Sequence, residues 1–324
     1  MSVGLRRGTV DVVLERHDAL LRLEVDGRPC IAYPRLTGPV EEGDDVLVND
    51  QATALGLGTG GFDVVAVNLT RGLGLPTADG AHVMRLPYTP GQHAARFAEE
   101  DAGELPRALD GLPVVCCTLH SQLAPVCAAL AGRRVHYVQV AGGALPVSLS
   151  DAVRALRERG LLDLALAVSP CLDGDVQCVT TASALLVAAA RGAEVVVAGI
   201  GPGIVGTGTR FGHGGLSAAE SANVAAALGG APVLAPRLSQ ADRRARHQGL
   251  SHHTRAVLDL CLADVALAWP EGLEPPPDLE VTAVPVDGWR TACAALPLSH
   301  MGRGPDDDPW FFAGAYAAGV LAAR

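Results

Sequence analysis

From Leu112 onward, short apolar runs alternate with helix-like stretches, and this alternation limits the fold more than any other feature of the sequence. PVVCCTL, RVHYVQV, LALAVS, EVVVAGI and APVLAP are almost continuously apolar, as strands are when both faces of their sheet are covered. Between them stand SQLAPVCAALAG, SLSDAVRALRERG, TTASALLVAAARG and SAAESANVAAALGG, which read as helices. ADVALAWP and LEVTAVPV add two strands, and WFFAGAYAAGVLAA reads as a last helix. The expected fold is α/β, a doubly wound, mostly parallel, Rossmann-like three-layer sandwich.

The first 75 residues follow a different pattern. TVDVVLER, ALLRLEVDG, RPCIAYPRL, DDVLVND and FDVVAVNLT are short, rich in β-formers and regularly spaced, which predicts a small β-rich, barrel-like module. ALGLGTGG (54–61) between the last two is too glycine-rich for an ordinary helix and calls for positive φ or a close backbone approach. Residues 76–111 read as a linker with Pro76, Pro87 and Pro90 and a surface helix in FAEEDAGELP. Residues 112–324 then form the α/β domain.

Composition narrows the function classes. Apolar residues make up 49% of the 324 but aromatics only 4%, so Val, Leu and Ala must fill the core. A formal charge of −10 opposes the phosphate attraction behind non-specific nucleic-acid binding, and no nucleic-acid partner is expected. The arginines between Arg237 and Arg255 read as a solvated helix face or a local basic patch. The opening MSVGLRRGTVDVV lacks the apolar core of a signal peptide, and no apolar run approaches membrane-spanning length. A cytoplasmic protein is therefore expected. Its eight cysteines sit mostly in apolar runs, without a CxxC pair for a cysteine zinc site.

The strongest chemical signal is AEVVVAGIGPGIVGTGTRFGHGGLSAAES, a strand followed by seven glycines in residues 201–215. Gly201, Gly203, Gly206 and Gly208 would let backbone amides approach an anion, and Ser217 would cap the next helix. A dinucleotide fingerprint is a poor match, because the helix starts about ten residues late, Pro202 removes a donor, and APVLAPRL offers no acidic ribose ligand. A tight structural crossing is the competing reading. Thr207, Thr209, Arg210 and His213 are the chemically useful side chains, with Arg210 suited to a carboxylate or phosphate.

His120 and Ser121 follow the strand PVVCCTL and should share the sheet edge with that loop. Ser121 reads as ligand-binding or as a helix cap, since no GxSxG surrounds it. RHQGLSHHTRAV carries His247, His252 and His253, with Ser251 as the expected N-cap. His252 and His253 are adjacent and should point to different faces of a helix, so one metal ion is not expected to meet both. No metal is expected, and the sequence names no cofactor. Asp173 and Asp175 read as a turn, and Cys171 and Cys178 as inert.

LGLGTGG (55–61), LHSQLAPV (119–126), GPGIVGTGT (201–209), SHHT (251–254) and MGRG (301–304), in this order, resemble the uncharacterised bacterial family known as domain of unknown function 3866. The resemblance spans almost the whole chain and implies a bacterial source. It brings no activity with it.

The residues therefore point to a small-ligand-binding protein, an enzyme of transferase or hydrolase type acting on a small anionic or polar metabolite. The loop would bind the anion, Arg210 would orient it, and His120, His252 and His253 would move protons. The alternative is a non-catalytic protein that senses a metabolite or nucleotide. Alanine-rich helices could also support a homodimer.

Overall fold

The computed structural model describes residues 3–57, 60–101 and 103–324, in two compact units, Met1–Asp79 and Gly80–Arg324. In the first, β1 (Arg6–Arg16), β2 (Leu21–Val25), β3 (Arg28–Ala32), β4 (Asp45–Asn49) and β5 (Asp63–Asn68) close a barrel in the order β1-β2-β3-β5-β4. Alternation explains the closure: Leu21, Leu23 and Val25 of β2 point inward with Val46, Val48 and Val65, while Arg22 and Glu24 face out. RPCIAYPRL is strand only to Ala32, because Pro34 opens the short helix α1 (Pro34–Thr37) at a position where its missing N–H costs nothing. After α2 (Gln51–Ala54), Gly56, Gly60 and Gly61 take positive φ as the glycine-rich stretch requires; Gly58 and Thr59 lie outside the described residues.

Residues 80–111, read above as linker, cluster with the second unit. They form the hairpin β6 (Val83–Arg85) and β7 (His93–Ala95) and a short helix α3 (Ala98–Asp101). The rest of that unit runs β8 (Pro113–Cys117), α4 (Leu123–Ala129), β9 (Val135–Val140), α5 (Asp151–Glu158), β10 (Leu164–Val168), β11 (Val176–Cys178), α6 (Thr181–Ala190), β12 (Val195–Ile200), α7 (Ser217–Ala227) and β13 (Ala231–Ala235). A two-stranded ribbon, β14 (Leu238–Ser239) with β15 (Gly249–Leu250), precedes α8 (His252–Leu258), β16 (Ala266–Pro270), β17 (Thr282–Val284), α9 (Trp289–Cys293) and α10 (Pro309–Ala322).

Eight strands form one all-parallel sheet in the order β11-β10-β9-β12-β8-β13-β16-β17. Period-two alternation sends Val115, Cys117, Tyr137, Val197 and Ala235 into a core with α4, α5, α9 and α10. Val114, Cys116, Val138, Val196 and Leu234 go to the opposite core with α6, α7 and α8. The fold is thus a doubly wound α/β sandwich with a β module before it. β11 escapes the sequence pattern because VQC is only three residues long. The alanines of α10 are consumed within the chain: the helix packs on α4 and the sheet, and a Cβ on Gly319 would stand 2.4 Å from the Val126 carbonyl.

The winding reverses between neighbours β12 and β8. The chain leaves β8 toward α4 on one face and leaves β12 toward α7 on the other, which makes this a topological switch point, the part of the carboxyl edge at which such sheets bind ligands.

Candidate functional site

Three strands deliver polar groups to that edge. His120 follows β8, residues 201–215 follow β12, and Arg237 follows β13. Gln122, fully buried, braces the first of these to the third: its amide donates to the carbonyls of Ala235 and Pro236, and its oxygen accepts from the backbone N–H of Thr118 and Leu119.

His120 sits at the switch point itself. Its Nδ1 lies 3.1 Å from the Ile200 carbonyl, which can only accept, so Nδ1 carries the proton and Nε2 receives the hydroxyl of Ser150 at 2.6 Å. Ser150 also caps α5 by accepting from Val153 N–H, and Tyr137 donates to the same Ile200 carbonyl. Burial lowers the His120 pKa to about 4, so the ring is neutral. With both nitrogens engaged, His120 holds the two strand ends together and presents no free lone pair.

The glycine-rich loop divides into a packed base and an exposed tip. A Cβ on Gly201 would stand 2.1 Å from the Ala144 carbonyl, and one on Gly214 would stand 2.0 Å from the Gly142 carbonyl, so backbone lies on backbone there. Gly203 has φ of 70° in open space, and Gly206 pairs with His213. At the tip Gly208 is unencumbered, and Thr207 and Thr209 bond to each other at 2.8 Å. Arg210 is exposed, ion-paired with Asp259 and laid over the Phe211 ring. Ser217 does not cap α7; Leu216 holds that position, and Ser217 donates back to the Gly214 carbonyl.

His213, from the base of the loop, meets the other histidines. Its ring is stacked on that of His253, and the His252 and His253 rings are 4.5 Å apart, with His247 4.7 Å from the first and 4.9 Å from the second. The expectation that the adjacent pair would diverge is corrected, because both sit in the first turn of α8, which Ser251 caps through His253 N–H. Ser251 also touches His247 Nδ1 at 2.7 Å. His213 is 6% exposed; neither ring nitrogen has a hydrogen-bond partner in good geometry, although the Arg210 backbone slightly opposes the fall in its pKa that burial causes. The buried Nε2 of His252 is partnerless too. Burial, then the Arg237 and Arg244 cations, lowers the His247 pKa to about 3, and burial, then His213 and Arg237, lowers that of His253.

Beside them is the guanidinium of Arg237, the first arginine of the stretch expected to be a solvated face or a basic patch. Arg237 is 2% exposed, donates to His253 Nδ1 at 2.9 Å, and leaves its Nε without a partner among the described residues. Burial lowers its pKa to about 10, so it stays a cation at neutral pH. Asp242, 3.6 Å away, is gripped by Arg244 and Arg303 and held well below the usual carboxylate range, chiefly by Arg244. Asp308 accepts from Arg303, Ser239 and the Gln240 backbone.

Ser121 reaches the same region, with its Oγ 3.2 Å from Nδ1 of His300. His300 is stacked on Phe311, its Nε2 is buried without a partner, and burial lowers its pKa to about 3. MGRG is the turn that brings His300 and Arg303 together, with Met301 and Gly302 at positive φ. Asp173 and Asp175 stay outside this cluster, bonded to Ser148 and Arg157, and Cys171 and Cys178 are buried thiols with pKa pushed up to about 11 and about 12 by burial.

Among the described residues no helix is long and apolar enough to cross a membrane. No curated protein matches the sequence. A family model described as "Protein of unknown function (DUF3866)" matches residues 29–319, and the chain belongs to that family.

Proposed function

We propose that this protein binds a small anionic metabolite at the carboxyl edge of β8, β12 and β13 and acts on it as a transferase or hydrolase. One observation carries the reading: Arg237 is a buried cation with an unused N–H, ringed by neutral imidazoles that also have unused nitrogens. Unpaired buried polar groups each cost about 1–3 kcal/mol, a cost that a carboxylate or phosphate accepting from them would remove. The anion-holding role moves from Arg210, which is exposed and paired, to Arg237. His252 and His253 are placed to donate or accept protons on the ligand, and Ser121 with His300 lies at the same edge.

A second reading, binding without turnover, is favoured by the Ser121–His300 pair. An imidazole whose pKa is about 3 is a weak base for a serine hydroxyl. Thermal-shift measurements with inorganic phosphate, acyl phosphates, sugar phosphates, nucleotides and amino acids test both readings. An anion should stabilise the wild type and Arg210→Met but not Arg237→Met; consumption of that compound then separates enzyme from sensor. Equal stabilisation of Arg237→Met, or none of the wild type, sinks the proposal.

A further inference from the structure

We propose that His247, His252 and His253 bind one divalent transition-metal ion, with zinc the best match, leaving a fourth coordination position open toward His213 and Arg237. Each of the three rings offers a ligand atom within 4.8 Å of the other two. Zinc–imidazole bonds of about 2.0–2.1 Å in a tetrahedron place nitrogens roughly 3.4 Å apart, so the rings need only close slightly. Three imidazoles and no carboxylate suit zinc, cobalt or nickel, and exclude magnesium and calcium.

One further observation points the same way. His247 has the outer contact expected of a ligand: Nδ1–H can donate to Ser251 Oγ, which frees Nε2. His252 is only partly buried and provides the entry path.

The site carries one built-in competitor. While Arg237 donates to His253 Nδ1, the proton of that ring sits on Nε2; metal binding there requires the guanidinium to turn to Asp242. Three guanidiniums, of Arg237, Arg244 and Arg303, face two carboxylates, of Asp242 and Asp308, so an incoming cation meets positive surroundings. The ion is therefore held together with an anion in its fourth position, either hydroxide or a phosphate or carboxylate oxygen. A coordinated imidazole has no lone pair left to take up a proton, so in the metal-loaded protein His252 and His253 act as ligands and not as proton carriers; metal content does not depend on the ligand proposed above, but the coupling to an anion does.

Full-length protein stripped with a chelator is titrated with zinc and, separately, with cobalt, with and without inorganic phosphate, and bound metal is measured after gel filtration. The expected result is about one ion per chain, a cobalt spectrum of tetrahedral type, and tighter binding with phosphate. His252→Ala should weaken affinity at least tenfold, Arg237→Met should strengthen it, and exposed His82→Ala should leave it unchanged. No stoichiometric metal in the wild type, or wild-type affinity in both His252→Ala and His253→Ala, overturns the proposal. If His253→Ala does not fold, the wild-type cobalt spectrum and partly buried His252→Ala decide. Phosphate-induced stabilisation of the stripped protein tests the anion reading separately.

Discussion

The imidazole of His213 lies flat on that of His253, ring centroids 3.7 Å apart and planes 15° from parallel. This stack joins the glycine-rich loop after β12 to the first turn of α8. His213→Phe keeps the stacked ring and removes two buried nitrogens that lack partners in good geometry, so stability should rise by about 1 kcal/mol. Anion-induced stabilisation should fall at the same time. Urea unfolding and thermal shift together read this; a destabilised variant that still responds to anions would show that the ring serves packing alone.

Gln122 is the brace whose loss the fold should feel most. Gln122→Leu would leave the carbonyls of Ala235 and Pro236 and the amides of Thr118 and Leu119 unpaired in a buried place. Stability should drop by roughly 3 kcal/mol or more, read as a lower urea midpoint with unchanged slope. A midpoint within error of wild type would mean that water replaces the brace.

Acid should destabilise the α/β domain through its neutral histidines. The His120 pKa is about 4 when folded, against 6.5 for the free side chain, so the unfolded chain binds more protons between those values. Stability therefore falls as pH drops from about 6.5 to about 4, by an amount on the order of 3 kcal/mol for this ring. His120→Gln should flatten the stability–pH curve in that window, whatever its effect at pH 8. A wild-type slope in the variant would locate the effect in the other histidines.

Glycines in the loop should separate by position. Gly214→Ala forces a Cβ into the Gly142 carbonyl and should cost several kcal/mol or prevent folding. Gly208→Ala, whose Cβ would meet only Arg246 at 4.0 Å, should change stability by less than about 0.5 kcal/mol. Loss of anion binding in Gly208→Ala without loss of stability would assign the exposed tip to the ligand.

The sheet was legible because its strands are covered on both faces and so nearly uninterrupted in Val, Leu, Ala and Cys; β11 was not, being three residues at an edge. His120, Ser121 and the glycine-rich loop could be placed because each directly follows a strand of a parallel sheet. Arg237 follows β13 in the same way, but its neighbours Arg243, Arg244 and Arg246 suggested a solvated face. In fact residues 238–250 turn back as a ribbon and fold Arg244 onto Asp242. His300 carries no local signal, since its partners Ser121 and Phe311 are set by tertiary packing. Adjacent His252 and His253 misled in the opposite direction: helical spacing describes where Cβ atoms point, not where two long side chains in a first turn can swing.

Ser121 and His300 are separated by 179 positions along the chain. Bringing them together closes a loop of that length, a contact that pays its entropy late and belongs to the slow part of folding. During synthesis the Ser121 side of this contact therefore waits until residues 300–303 have left the ribosome. The proposed anion response would then report completion of the fold: in refolding followed in time, secondary structure should return first, and any response to an anion should appear only when the turn at residues 300–303 has docked.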